Sequence, residues 1–115
     1  MGKLNFGIPV NILAEIRARD VDCVYCHKTM KYPYIANDSR NSATIEHLNF
    51  DGPFYWDEGL QADDIVICCG SCNSSRGVKT LPNWFESRFC IDRNINADTV
   101  AEPVRKYLQR QKDEK

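Results

Sequence analysis

Two Cys-x2-Cys pairs, Cys23-Val-Tyr-Cys26 and Cys69-Gly-Ser-Cys72, stand in a chain of 115 residues. Each pair can form a tight knuckle that aims two thiolates at one ion, and two knuckles complete a tetrahedral four-cysteine zinc site. A chain of this length supports one small domain with a modest core, for which a metal staple is an ordinary solution. The 42 residues between the pairs exceed the spacing of a zinc ribbon, so a substantial insertion lies between the knuckles, and function is to be sought there.

The other two cysteines, Cys68 and Cys90, read as small buried hydrophobes. Cys68-x3-Cys72 fits a knuckle less well than Cys69-x2-Cys72, and strand alternation turns Cys68 to the opposite face from Cys69. His27, directly after Cys26, is an alternative zinc ligand. A thioredoxin-like redox role for a Cys-x2-Cys pair stays open, although the second pair does not follow a clean strand-to-helix context.

Charge separates along the chain. Residues 1–37 carry a net +2, residues 38–75 a net −6 and residues 76–115 a net +3. An acidic middle between basic flanks suits a cation site beside phosphate-contacting surfaces, and it equally suits a soluble protein with an uneven surface. No apolar run approaches the roughly 18–20 residues that span a bilayer. The opening MGKLNFGIPVNILAEIRARD lacks the uninterrupted apolar stretch of a signal peptide. Membrane and secreted classes are thereby disfavoured.

Pro9 opens a helix with Ile12, Leu13 and Ile16 on one stripe and Arg17 and Arg19 near its end, closed at Asp20 to Asp22. Residues 28–40 read as an irregular excursion. Ser42 to His47 reads as a strand, Asn49 to Asp63 as a long loop, and Asp64 to Cys69 as a second strand, the most β-like run in the chain. Cys72 to Gly77 reads as a short helix ended by Gly77. A further helix starts at Thr80 or Leu81 with Trp84, Phe85 and Phe89 buried. A last one, from Asp98 or Glu102, carries Val104, Tyr107 and Leu108. Phe54-Tyr55-Trp56 in the long loop either covers a knuckle or hairpin, or stacks on nucleic acid.

Strand, loop, strand, knuckle and short helix, with Glu46-His47 closing the first strand, Asp64 opening the second and Asn73 following the last cysteine, resemble the HNH endonuclease family in its four-cysteine zinc form. The resemblance rests on Cys23-x2-Cys26, Ala43-Thr-Ile-Glu-His47, Asp64 to Cys69 and Cys69-Gly-Ser-Cys72-Asn-Ser-Ser-Arg-Gly77, and it spans about residues 15–90. It implies an α+β fold, a small zinc-stapled ββα-metal core with flanking helices. The whole chain would be one domain, with a C-terminal helical extension over about 91–115.

The resemblance further implies a metal-dependent DNA endonuclease acting on double-stranded DNA, with a homodimer as one route to cutting both strands. It sets the expected place of action in the cytoplasm of a bacterial or phage-infected cell. Its implied catalytic set is His47, Glu46, Asp64 and Asn73. His47 would be the general base, and Glu46 and Asn73 the oxygen ligands of Mg²⁺ or Mn²⁺. Cys23, Cys26, Cys69 and Cys72 would hold a structural zinc ion. Asp64 stands where the family has its middle Asn, so it would orient the loop and the His47 ring or weaken the site; Asn73 stands where it has its final His. Arg76 and Lys79 are candidates to contact phosphate. Neighbouring strand residues point to opposite faces, so a distortion or turn at the strand end is expected if Glu46 and His47 serve one site. The competing class is a zinc-stabilised DNA-binding or interaction module whose nuclease site has decayed.

Overall fold

A computed structural model describes residues 4–113 of the chain. Its centre is an antiparallel hairpin, β1 (Ala43–His47) and β2 (Ile65–Cys69), in the register Ala43↔Cys69 through His47↔Ile65. Every residue of β2 is buried. The alternation of a strand therefore feeds two cores, one on each face. Ile65 and Ile67 pack with Leu13 and Ile16 of helix α1 (Val10–Arg19), while Val66 and Cys68 pack with Tyr25, Trp84, Val100 and Val104.

Asp20 closes α1 and joins it to the sheet. Its Oδ2 accepts the Ile67 backbone N–H at 3.0 Å, and Arg19 clamps the same carboxylate with two bonds of 2.7 Å. The long loop folds back on its own turns, with short 3-10 segments at Trp56–Glu58 and Ala62–Asp64. Residue 64 therefore ends a turn, and β2 begins one position later.

Helix α2 (Gly70–Arg76) grows directly out of β2. Its first residue must be glycine: a Cβ at position 70 would sit 1.9 Å from the Ser39 carbonyl oxygen, where the 3-10 segment Ala36–Asn41 crosses. Gly77 ends the helix at φ +55°, a conformation L side chains rarely adopt. Beyond it the single helix expected from Thr80 is two, α3 (Leu81–Phe85) and α4 (Arg88–Arg93). Thr80 caps the first and Ser87 the second through its bond to the Cys90 N–H, so the chain restarts at Ser87. Trp84 is buried as expected, whereas Phe85 and Phe89 are half-buried against it.

Helix α5 (Glu102–Asp113) sends Val104 and Tyr107 into the core beside Trp84. The C-terminal segment is thus part of the packed body. Among the described residues no helix is long and apolar enough to cross a membrane.

Candidate metal centre and the cavity beside it

The two knuckles meet. The sulfurs of Cys23, Cys26, Cys69 and Cys72 all lie within 4.8 Å of one another, and no other group of three or more Cys, His, Asp or Glu among the described residues gathers this closely. Cys26 Sγ and Cys69 Sγ are 3.8 Å apart. A tetrahedron with Zn–S bonds of about 2.3 Å sets its sulfurs about 3.8 Å apart, the separation of this pair, so the cluster is compatible with a zinc ion.

Local geometry explains the convergence. The first knuckle is a turn closed by the His27 N–H on the Cys23 carbonyl (2.9 Å), flanked by a bridge between Asp22 and Thr29. The second is the step from β2 into α2, where Cys69 Sγ accepts the Cys72 N–H at 3.5 Å. Hydrogen bonds from Cys69 and Cys72 hold the Cys23 thiol far below the usual range, and the same sharing pushes Cys69 up to about 11 and Cys72 higher. A divalent cation displaces such shared protons on binding. His27 stands apart from the cluster, with its Nε2 on the Thr99 carbonyl. Cys68 and Cys90 are fully buried in the core that surrounds the centre.

A second site lies at the far end of the same elements. A cavity of about 290 Å³ is bordered by Glu46, His47, Asn49, Asn73 and Arg76, with Phe6 and Phe54 at its apolar side. Three of the four residues expected to act together therefore share one cavity. Helix α2 makes this possible by covering the open edge of β1. Asn73 Nδ2 donates to the Ile45 carbonyl (3.2 Å) and to Thr44 Oγ1 (2.9 Å), and Arg76 Nη1 donates to the His47 carbonyl (2.9 Å). The outward carbonyls of an edge strand are thus satisfied by side chains instead of another strand.

The expected turn at the strand end falls just after His47, where the chain bends at Leu48. Pairing runs regularly through His47, and the Leu48 N–H continues it onto the Asp64 carbonyl at 2.8 Å. Glu46 and His47 reach one cavity because it lies beside the strand's open edge, where both alternating faces border it.

Glu46 is 5 % exposed and its Oε2 accepts from Tyr25 Oη (2.9 Å) and Arg76 Nη1 (3.0 Å). Burial raises its pKa against the opposing pull of Arg76. Its Oε1 takes no part in these bonds. The expectation that Arg76 contacts phosphate is corrected: Arg76 is 2 % exposed, and its guanidinium also donates to the carbonyls of Leu48 and Lys79, both at 2.9 Å. Four of its five N–H groups point into the protein. Lys79 is exposed, its Nζ on the Ser75 carbonyl at 3.3 Å.

His47 Nε2 lies 3.0 Å from the Phe54 carbonyl. A carbonyl only accepts, so Nε2 carries the proton and Nδ1 is left as the basic nitrogen. The ring is clamped edge-on by Phe6 at 4.4 Å and Phe54 at 5.4 Å, and the resulting burial lowers its pKa below the ordinary histidine value. The aromatic run 54–56 thus folds over the hairpin, with Tyr55 on Phe6 at 5.7 Å.

Asp64 does not border the cavity of His47. Its Oδ1 accepts from Arg110 of α5 at 3.1 Å, and the Phe54 carbonyl stands where a side-chain support for His47 was expected. The Asp64 backbone carbonyl serves the hairpin by accepting the Leu48 N–H. Sequence reasoning missed Phe6, Tyr25 and Asn49. Of these only Tyr25, inside the first knuckle, carried a positional signal.

A larger groove of about 550 Å³ runs between Arg19, His27, Asp63 and α5, but its cations are engaged: Arg19 with Asp20, Lys106 with Glu102 and Arg110 with Asp64. No family model, no curated protein and no solved structure matches the chain.

Proposed function

We propose that the chain is a metal-dependent DNA endonuclease of the HNH type, stapled by zinc at Cys23, Cys26, Cys69 and Cys72. The observation that carries this reading is the convergence of Glu46, His47 and Asn73 on one cavity, on a hairpin and helix tied to the four-cysteine centre. Glu46 and Asn73 are oxygen donors, a set that suits a hard cation, Mg²⁺ or Mn²⁺. Such a cation supplies charge neutralisation for the phosphate and for the departing 3′ oxygen.

His47 is the general base. Its Nδ1 takes the proton of the attacking water, and the Phe54 carbonyl fixes the tautomer that leaves Nδ1 free for it. The lowered pKa keeps the ring neutral, and so competent as a base, at neutral pH. Double-stranded DNA is the proposed substrate, with exposed Lys79 a candidate contact to its backbone. One such site cuts one strand at a time, so double-strand cleavage would call for two copies or two successive nicks.

One observation favours a second reading, a zinc-stabilised binding module with a decayed site. Glu46 is engaged in a buried ion pair with Arg76, which draws its carboxylate away from a cation role. Supercoiled plasmid separates the two. Zinc-loaded protein with Mg²⁺ or Mn²⁺ is expected to give relaxed or linear product, and chelation by EDTA to abolish it. His47→Ala is expected to lose about 10²–10⁴-fold in rate. A folded, zinc-loaded protein that cleaves with neither metal establishes the binding module instead.

A further inference from the structure

Asn49 borders the cavity of Glu46, His47 and Asn73, and it is 8 % exposed. Its Nδ2 donates to the Pro53 carbonyl at 2.9 Å, while its Oδ1 is buried with no hydrogen-bond partner. The orientation of the amide is fixed by that bond. A carbonyl accepts only, so the nitrogen must face Pro53 and the oxygen must face away from it. Buried acceptors without a donor are rare in folded proteins, and one on a residue that lines a cavity points to an occupant that supplies the missing donor or charge.

The other polar groups around the cavity have the same need. The amide nitrogen of Asn73 is consumed by Thr44 and Ile45, which leaves its oxygen. The Nε2 proton of His47 is consumed by Phe54, which leaves Nδ1 as an acceptor. Glu46 contributes a carboxylate, and the guanidinium that might have answered it spends its N–H groups on Glu46 Oε2 and on three backbone carbonyls. The lining thus offers acceptors from four side chains. A lining rich in acceptors suits a hydrated cation better than an anion.

We propose that Asn49 Oδ1 is a third oxygen donor to the divalent cation site formed by Glu46 and Asn73, binding the ion or a water of its shell. The proposal rests on the nuclease reading and extends it by one residue. Asn49 lies two positions beyond His47, past a bend at Leu48, and it borders the same cavity as His47 while Leu48 is fully buried in the core. The bond to Pro53 serves the loop alone and uses the other end of the amide. The two ends can therefore be tested separately.

The test is Mn²⁺ titration of the zinc-loaded full chain, read by loss of the free-ion electron paramagnetic resonance signal, with zinc content and circular dichroism checking each variant. Asn49→Ala removes both ends of the amide; Asn49→Asp removes the donor to Pro53 but keeps an oxygen and adds charge. If Oδ1 serves the cation, Asn49→Ala weakens Mn²⁺ binding about tenfold or more, whereas Asn49→Asp binds as tightly as wild type or tighter. A role confined to the loop weakens both variants together or neither, and either result overturns the proposal, as does any weakening by Asn49→Asp. Should Asn49→Ala fail to fold, Asn49→Asp decides alone: tighter Mn²⁺ binding than wild type supports the proposal, and equal or weaker binding overturns it. Asn73→Ala is the control for the underlying reading. If it leaves Mn²⁺ binding unchanged, or if wild type binds none, the cation site itself is wrong and both proposals fall. If Asn73→Ala weakens binding while Asn49→Asp also weakens it, only the Asn49 assignment falls.

Discussion

The four-cysteine centre and the His47 cavity hang on the same hairpin and helix, and they differ in how far the protein completes them. At the first, four sulfurs converge inside a core of Tyr25, Trp84, Val100 and Val104, with the dimensions of the ion they suit. At the second, Glu46 and Arg76 pair with each other while other polar atoms of the lining are left over. Asn49 Oδ1 is left over, and the basic nitrogen of His47 is turned from the Phe54 carbonyl. The first arrangement is a four-cysteine cluster able to hold a metal, and the second a polar cavity lined by Glu46, His47, Asn49 and Asn73. Substitutions at the two should therefore fail in different ways.

The largest effect belongs to the staple. A structural zinc ion in a small domain contributes an apparent 10–16 kcal/mol or so, as much as the whole stability of a typical fold, about 5–15 kcal/mol. Cys72→Ser, or chelation of the wild type, is expected to abolish cooperative thermal unfolding by circular dichroism. His47→Ala should leave the melting temperature within a few degrees. A Cys72→Ser protein that melts like wild type would show that the sulfurs cluster without holding the fold.

Next in size is the link between the two sites. Arg76 and Glu46 form a buried pair, and removal of one partner strands the other's charge at a cost of about 3–5 kcal/mol. Arg76→Met should lower the melting temperature by about 12–20 °C at neutral pH, at about 4 °C per kcal/mol. The sign of its pH dependence follows from Glu46. Burial already raises that carboxyl's folded-state pKa, and loss of Arg76 raises it further. A group with a raised folded-state pKa contributes stability below its unfolded value and loses it as pH rises. The deficit of the variant relative to wild type should therefore shrink from pH 7 toward pH 5. A deficit that stays constant or grows would mean that Glu46 does not titrate in that window.

What was legible in the sequence divides along the same line. The zinc knuckles are local: a turn of four residues fixes two ligands, and the strands and helix boundaries at Pro9, Asp20 and Gly77 are set by residues within a turn of them. Arg76 was not legible in this way. After Cys-Asn-Ser-Ser it reads as a solvent-facing cation, and only Glu46, 30 positions earlier, with the carbonyls of residues 47, 48 and 79, draws it inside. Phe6 likewise meets His47 across 41 residues with no periodicity to announce it. The restart at Ser87 was visible in principle, since a serine three residues before Cys90 is a capping position, but the apolar run through Trp84 and Phe89 masked it.

The smallest effect tests the residue whose family role and observed place diverge. Asp64 stands where the resemblance asks for a side chain that orients the base, yet its carboxylate pairs with Arg110 of α5, and both partners are partly exposed. Pairs of this kind contribute less than about 1 kcal/mol. The Asp64 atom that the hairpin uses is its backbone carbonyl, which a side-chain change leaves in place. Asp64→Asn is therefore expected to lower the melting temperature by less than about 4 °C and to leave plasmid cleavage within about twofold of wild type. A gain of tenfold or more in cleavage would place the position 64 side chain back with His47. It would mean that the Phe54 carbonyl alone does not set the ring, and that the difference between the finished staple and the unfinished cavity includes a misfit at this residue.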